Sequence, residues 1–135
     1  MQKIQLFVTT IIALTLIGCG DAAKITGTVK LKDGTPFSDG AVTFENDRMN
    51  VYSPLDRNGK FSLYQVKPGD GVPPGTYKGR IEFNTDSLDP GNVPDREAAI
   101  AAKMPFPVKY TSFATSGLTL TVETRKSVHL DIVLE

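Results

Sequence analysis

Apolar and polar residues alternate along this chain in short runs. Ile25, Gly27, Val29 and Leu31 fall on one side of an extended segment, with Thr26, Thr28, Lys30 and Lys32 on the other. Val42 and Phe44 alternate with Ala41, Thr43 and Glu45, and Phe61 and Leu63 with Ser62 and Tyr64. Tyr77, Gly79, Ile81 and Phe83 oppose Lys78, Arg80 and Glu82; Leu118, Leu120 and Val122 oppose Thr119, Thr121 and Glu123. A last run sets Val128, Leu130, Ile132 and Leu134 against His129, Asp131 and Glu135, with Val133 an apolar exception on the outer face. A weaker strand covers Met49 to Ser53. A period of two with one apolar face predicts half-buried strands.

Turn formers lie between these runs and never inside them. Asp33-Gly34, Asp39-Gly40, Asn58-Gly59, Asp70-Gly71 and Pro73-Pro74-Gly75 all separate one run from the next. About seven short strands joined this way predict an all-β fold, a single seven-stranded antiparallel β-sandwich over residues 24–135.

One stretch breaks the rhythm. Asn84 to Pro107 carries four prolines and no strand period. Asp95 is placed to cap a short Ala-rich helix, Arg96 to Met104, stopped by Pro105. Connections this long are commonly functional, so Asp95, Arg96, Met104 and Phe106 are the candidate ligand or partner residues. The plainer alternative is that Ile100, Met104 and Phe106 cover one open end of the sandwich.

The N-terminus reads differently. After Met1-Gln2-Lys3 the chain is uncharged to Ile17, and its strongly apolar part, Leu6 to Ile17, is 12 residues long. That suits the core of an export signal and falls short of the ~20 residues a membrane-spanning helix needs. It ends at Leu16-Ile17-Gly18-Cys19, which resembles the lipobox of bacterial lipoproteins. The resemblance implies lipid transfer to the Cys19 thiol, cleavage after Gly18, and a lipidated Cys19 followed by a tether to Ala23. Several acyl chains anchor a protein stably where one does not. By analogy with enterobacterial sorting, Gly20 rather than Asp after the cysteine favours the outer membrane over the inner.

Composition narrows the function classes. Charges balance at 15 basic and 15 acidic residues, scattered without a basic stripe, so nucleic-acid binding has no electrostatic support. Cys19 is the sole cysteine, which excludes an internal disulfide and a Cys-rich metal cluster.

Four stretches beyond the leader carry a second resemblance. They are Ile25-Thr26-Gly27-Thr28-Val29 with Asp39-Gly40-Ala41-Val42-Thr43-Phe44; Asp56-Arg57-Asn58-Gly59-Lys60-Phe61; Val72-Pro73-Pro74-Gly75-Thr76-Tyr77; and Pro107-Val108-Lys109-Tyr110 with Thr115-Ser116-Gly117-Leu118-Thr119. Together they resemble the carboxypeptidase regulatory-like, transthyretin-type sandwich of short planctomycete lipoproteins. That resemblance implies a folding pattern and no catalytic residues. Thr124-Arg125-Lys126 departs from it, because the family often has Gly in this last hairpin.

Candidate chemistry is sparse. His129 is the sole histidine, on the outer face of the last strand, with no G-x-S-x-G segment to partner it. Asp56-Arg57-Asn58-Gly59 starts like a calcium loop, yet its Gly comes two positions too early for an EF-hand, and a strand follows at once. An internal Lys–Asp isopeptide bond fails on alternation, which turns Lys30, Lys32, Glu82 and Asp131 outward. Tyr52, Tyr64, Tyr110, Phe106 and Phe113 are the aromatics available to a sugar, although packing is their commoner use. No catalytic residue, metal site or cofactor is therefore expected. The expected function is a non-enzymatic envelope lipoprotein, held to a membrane through Cys19 and serving as a structural or protein-interaction module. The alternative is a glycan- or small-molecule-binding module that uses residues 84–107.

Overall fold

The computed structural model describes residues 20–85 and 91–135. Gly18, Cys19 and the apolar leader lie outside the described residues, as do Asp86, Asp89 and Pro90 of the long connection.

Seven strands form: β1 (Ile25–Leu31), β2 (Gly40–Glu45), β3 (Asn50–Pro54), β4 (Lys60–Ser62), β5 (Gly75–Phe83), β6 (Thr119–Val122) and β7 (Val128–Leu134). They build two sheets, a three-stranded one in the order β4-β1-β7 and a four-stranded one in the order β3-β2-β5-β6. Between the sheets lies a core that includes Ile25, Val29, Val42, Phe44, Phe61, Leu63, Tyr77, Ile81, Leu120 and Leu134. The β-sandwich is thus the observed architecture.

The expectation of a purely antiparallel fold is corrected. β1 and β7 pair in parallel, from Ile25 opposite Val128 to Leu31 opposite Leu134. The cause is topological. The turn after β6 returns the chain at the end where β1 begins, so the two strands enter their sheet side by side and run the same way. Every other strand pair is antiparallel.

Alternation shows directly in the packing. Burial along β3 reads exposed–buried–exposed–buried–exposed, and Tyr77, Gly79 and Ile81 of β5 are buried in turn. Gly79 is required by a close approach: a Cβ there would stand 2.6 Å from the Phe44 ring. β2 is the exception, buried on both faces from Ala41 to Phe44. The Tyr77 hydroxyl stays satisfied inside the core by donating to the Pro73 carbonyl at 2.7 Å, and burial pushes its pKa up.

The two sheets are stitched at one corner. After β4, Tyr64 exchanges both backbone hydrogen bonds with Tyr52 of β3, and their rings meet edge to face at 5.3 Å. At the end of the sandwich where β5 finishes, Phe37, Phe83, Phe106 and Tyr110 form a chain of ring contacts with centroids 5.1–6.4 Å apart.

The expected short helix is present as α1 (Arg96–Lys103), and the Asp95 carboxylate accepts from the Ala98 N–H at 3.0 Å. No residue of α1 is fully buried. A 3-10 turn, Val108–Thr111, follows and sinks Tyr110 into the core.

Candidate functional site

β5 is nine residues long and β6 only four. β6 pairs with β5 from Gly75 to Lys78, and the contact ends at Gly79, whose N–H donates to the Leu118 carbonyl at 2.9 Å. Before that point the chain has turned away through Ser116, whose hydroxyl donates to the Gly79 carbonyl, and Gly117, whose φ is +72°. The far half of β5, Arg80 to Phe83, therefore has β2 on one edge and no strand on the other.

Alternation of the ladder fixes which backbone groups are left over. The Asn84 N–H donates to Asp39 on the β2 side, and the Gly40 carbonyl accepts from Leu55 on the β3 side. Successive residues of an antiparallel strand turn their N–H and C=O to opposite neighbours. Lys78, Arg80 and Glu82 consequently bond to β2, while Ile81 and Phe83 turn theirs to the side that no strand pairs, in line with Gly79; Ile81 is fully buried there, so that side is covered by packing and not by a strand.

A cleft of about 420 Å³ lies along that edge. Arg80 to Phe83 form one wall. Glu97, Ile100, Ala101 and Met104 form the other, on one stripe of α1, and Val108 and Thr111 close an end. Its surface is mainly apolar. The polar groups of the β5 wall are largely engaged already: Arg80 Nη2 donates to Glu82 Oε1 at 2.9 Å, and Glu82 Oε1 also accepts from the Thr43 hydroxyl at 3.1 Å. The Arg80 guanidinium stacks over the Phe113 ring, 4.7 Å from its centroid, and its Nε is buried without a partner.

The four candidate residues of the long connection separate here. Met104 is half-buried and lines the cleft, whereas Phe106 is 4% exposed and fills the aromatic cluster. Asp95 is spent on capping α1, and the exposed Arg96 begins the helix outside the cleft lining. Ile81, Phe83, Glu97 and Ile100 were not singled out from sequence as a site. The sequence carries no signal for them as a group, because the alternating runs Tyr77–Phe83 and Leu118–Glu123 are nearly equal in length and only the sheet order sets α1 against this part of β5.

Elsewhere the polar chemistry is self-contained. On the outer face of β1 and β7, His129 Nδ1 lies 3.2 Å from the Thr26 hydroxyl and its Nε2 3.1 Å from Asp131 Oδ1. The Thr28 hydroxyl donates to the same Asp131 oxygen at 2.8 Å, which, with His129 beside it, lowers the Asp131 pKa. This cluster is exposed, with no wall to exclude water. The Asp56 carboxylate accepts from the N–H groups of Asn58 and Lys60 at 2.8 and 2.9 Å, so the calcium-like loop is an Asx-stabilised hairpin turn. Among the described residues no group of three or more His, Cys, Asp or Glu could hold a metal, and no helix is long and apolar enough to cross a membrane.

The segment Gly20 to Ala23 lies against the opposite end of the sandwich from the cleft. Ala23 and Val72 exchange backbone hydrogen bonds at 2.8 Å, and the Arg125 N–H donates to the Asp21 carbonyl at 3.2 Å.

No protein-family model matches this chain, and no curated protein matches it. Solved structures resemble it in outline. The Bacillus anthracis TIE protein is 13% identical over 84% of this chain and 16% of its own length, with a TM-score of 0.49. A DUF3823 family protein from Bacteroides ovatus is 15% identical over 84% of this chain and 44% of that one, with a TM-score of 0.44. The dioxygenase domain of a dioxygenase–carbohydrate-binding protein fusion from Streptomyces sp. SirexAA-E is 14% identical over 86% and 80%, with a TM-score of 0.41. This chain spans less than half the length of the first two. With TM-scores below 0.5 and identities of 13–15%, these likenesses assign this chain neither a family nor a role.

Proposed function

We propose that this chain is a membrane-anchored envelope lipoprotein whose folded domain is a non-enzymatic structural or protein-interaction module on a carboxypeptidase regulatory-like, transthyretin-type sandwich. The observation that carries the anchor is Leu16-Ile17-Gly18-Cys19 at the end of a 12-residue apolar run, holding the sole cysteine of the chain. Lipid on Cys19 places the domain in the cell envelope, with the outer membrane favoured by Gly20. The interaction role is supported by a cleft whose chemistry suits contact better than turnover, since its β5 wall pairs Arg80 with Glu82 and offers no nucleophile beside a base.

The cleft also supports a second reading, a glycan or small apolar molecule held between β5 and α1. Its volume is within the range of ligand sites.

The anchor is tested by the intact mass of detergent-extracted protein from its host beside a Cys19→Ala variant. A chain beginning at Cys19 with acyl mass, absent in the variant, is the expected result. A chain without lipid overturns the anchor. The small-molecule reading is tested by thermal shift with an oligosaccharide panel, in which stabilisation abolished by Met104→Glu would favour it.

A further inference from the structure

We propose that the free edge of β7 is a strand-addition site: an extended segment of a protein partner, with a lysine or arginine on its outer face, pairs with the backbone of His129, Asp131 and Val133. The inference deepens the interaction-module reading and rests on it.

The first observation is the backbone. β7 ends its sheet and has β1 on one side only. The Val128 N–H donates to the Lys24 carbonyl at 3.1 Å, so Val128, Leu130, Ile132 and Leu134 bond to β1 in turn. β1 agrees, because Ile25 and Val29 are spent on Leu63 and Gly59 on its far side, which leaves Thr26, Thr28 and Lys30 for β7. His129, Asp131 and Val133 therefore turn N–H and C=O away from β1. Glu135, the next residue of the same parity, already uses that side: its N–H donates to the Tyr110 hydroxyl at 3.2 Å. No described residue hydrogen-bonds the backbone of the other three there.

The second is access. A groove of about 400 Å³ runs beside the edge, with Leu130 to Val133 as one wall and Ser116 to Thr119 as the other. Asp131 and Val133 carry their side chains on the outer face, so what they present to the groove is backbone. Both residues are exposed, Val133 by 44%. Proteins usually blunt such an edge with proline, lysine or a bulge. β7 has none of these, and its register is unbroken over seven residues. An added strand opposite His129 to Val133 needs about 16 Å of extended chain. Its inward side chain would rest on Leu118 and Leu130, which are half-buried at the groove.

The third is charge, which selects the occupant. The Thr28 hydroxyl and His129 Nε2 both meet Asp131 at Oδ1, and Oδ2 has no partner among the described residues. Lys30 stands one strand further in, opposite Val133, and forms no ion pair with it. The edge thus offers a free carboxylate oxygen to a cation on the incoming strand. Two copies joined symmetrically through this edge would run their β7 strands antiparallel. Their Gly20 ends would then point opposite ways, which one bilayer holding both Cys19 lipids does not allow. Main-chain pairing supplies affinity in this mode and side chains supply specificity.

The test is amide hydrogen exchange by NMR on the full mature chain, with and without millimolar acetyl-Thr-Val-Lys-Val-Thr-amide, which reads the same in either strand direction. In the free protein the Asp131 and Val133 amides should exchange at least tenfold faster than those of Leu130 and Ile132. With the peptide they should slow at least threefold, while the Glu135 amide stays as it was. Of two peptides N-methylated on alternate residues, one should lose this effect and the other keep it, since only one side of a strand faces β7. Val133→Pro removes an N–H that bonds nothing in the free protein, and should abolish the slowing at Asp131 without changing the rest of the spectrum. Should that variant fail to fold, Asp131→Asn carries the test: it should weaken the lysine peptide severalfold and leave a glutamine analogue of the peptide unchanged.

Asp131 and Val133 amides as protected as their neighbours in the dilute free protein, or unmoved by the peptide, would overturn the proposal. Equal behaviour of the two methylated peptides would do the same. Protection that rises with protein concentration alone assigns the edge to a second copy and overturns it too. A host protein that binds Val133→Pro as tightly as the parent would sink this site while leaving the interaction reading in place.

Discussion

Arg125 holds Gly20: its guanidinium Nε donates to the Gly20 carbonyl across more than a hundred residues of sequence. Arg125 is also the one described non-glycine residue with a positive φ, +57°. It thus occupies the left-handed turn position where the resembling family often has glycine, at a cost of roughly 1–2 kcal/mol. Its side chain and its backbone N–H together fix the first two described residues to the sandwich.

This pairing predicts a ranking. Arg125→Gly removes both the strain and the exposed side-chain bond, and should match the parent within about 0.5 kcal/mol. Arg125→Ala keeps the strain and loses the bond, and should fall about 1 kcal/mol below it. Urea unfolding measures both, and an alanine variant more stable than the glycine one would contradict this account.

At Gly79 the constraint is the Phe44 ring. Gly79→Ala should cost about 1–3 kcal/mol through overpacking. Adding Phe44→Leu should recover part of that loss, because the smaller side chain makes room. Thermal unfolding of the two single variants and the double variant gives the coupling directly.

These two sites also show what the sequence reveals and what it conceals. Strand positions, inward faces and the Asp95 cap follow from period and local chemistry, and they appear where alternation puts them. The parallel pairing of β1 with β7 does not follow, because a run such as Val128 to Leu134 looks the same whichever way its neighbour runs. Phe106, between Pro105 and Pro107, has no period, but the plainer expectation that it covers one end of the sandwich holds, and the rings of Phe37, Phe83 and Tyr110 around it make it core. The cleft was half legible. Met104 was named from the loop, but the β5 wall needed the sheet order.

Phe106→Ala should destabilise the domain by about 3–5 kcal/mol, since it empties the centre of the aromatic cluster. Ile100→Ala should cost under about 1 kcal/mol, because the residue is only half-buried on a helix that buries nothing fully. Chemical denaturation separates them. Equal losses would mean that α1 seals the core and leaves no cleft.

Acid should weaken the domain through its turns. The Lys60 N–H, and then that of Asn58, holds the Asp56 carboxyl below the usual carboxylate range; the Thr35 N–H does the same for Asp33. A carboxyl with a lowered folded-state pKa contributes its stability above the unfolded-state value and loses it as pH falls through the folded one. The midpoint of thermal unfolding should therefore hold near neutrality and decline on the acid side of the carboxylate range. Asp56→Asn should be less stable at neutral pH and show a shallower decline. An unchanged slope would rule out this turn as a contributor.

β1 begins beside the anchor end and runs seven residues towards the cleft end. At about 3.3 Å per residue it is a post of roughly 20 Å. Lipid on Cys19 would seat the domain at the bilayer with almost no slack, because Gly20 is already clasped by Arg125. The cleft between β5 and α1 would then stand well beyond the ~8 Å over which physiological salt lets a charged membrane be felt. Anything that enters the cleft would do so from open solvent, out of reach of the lipid charge beneath.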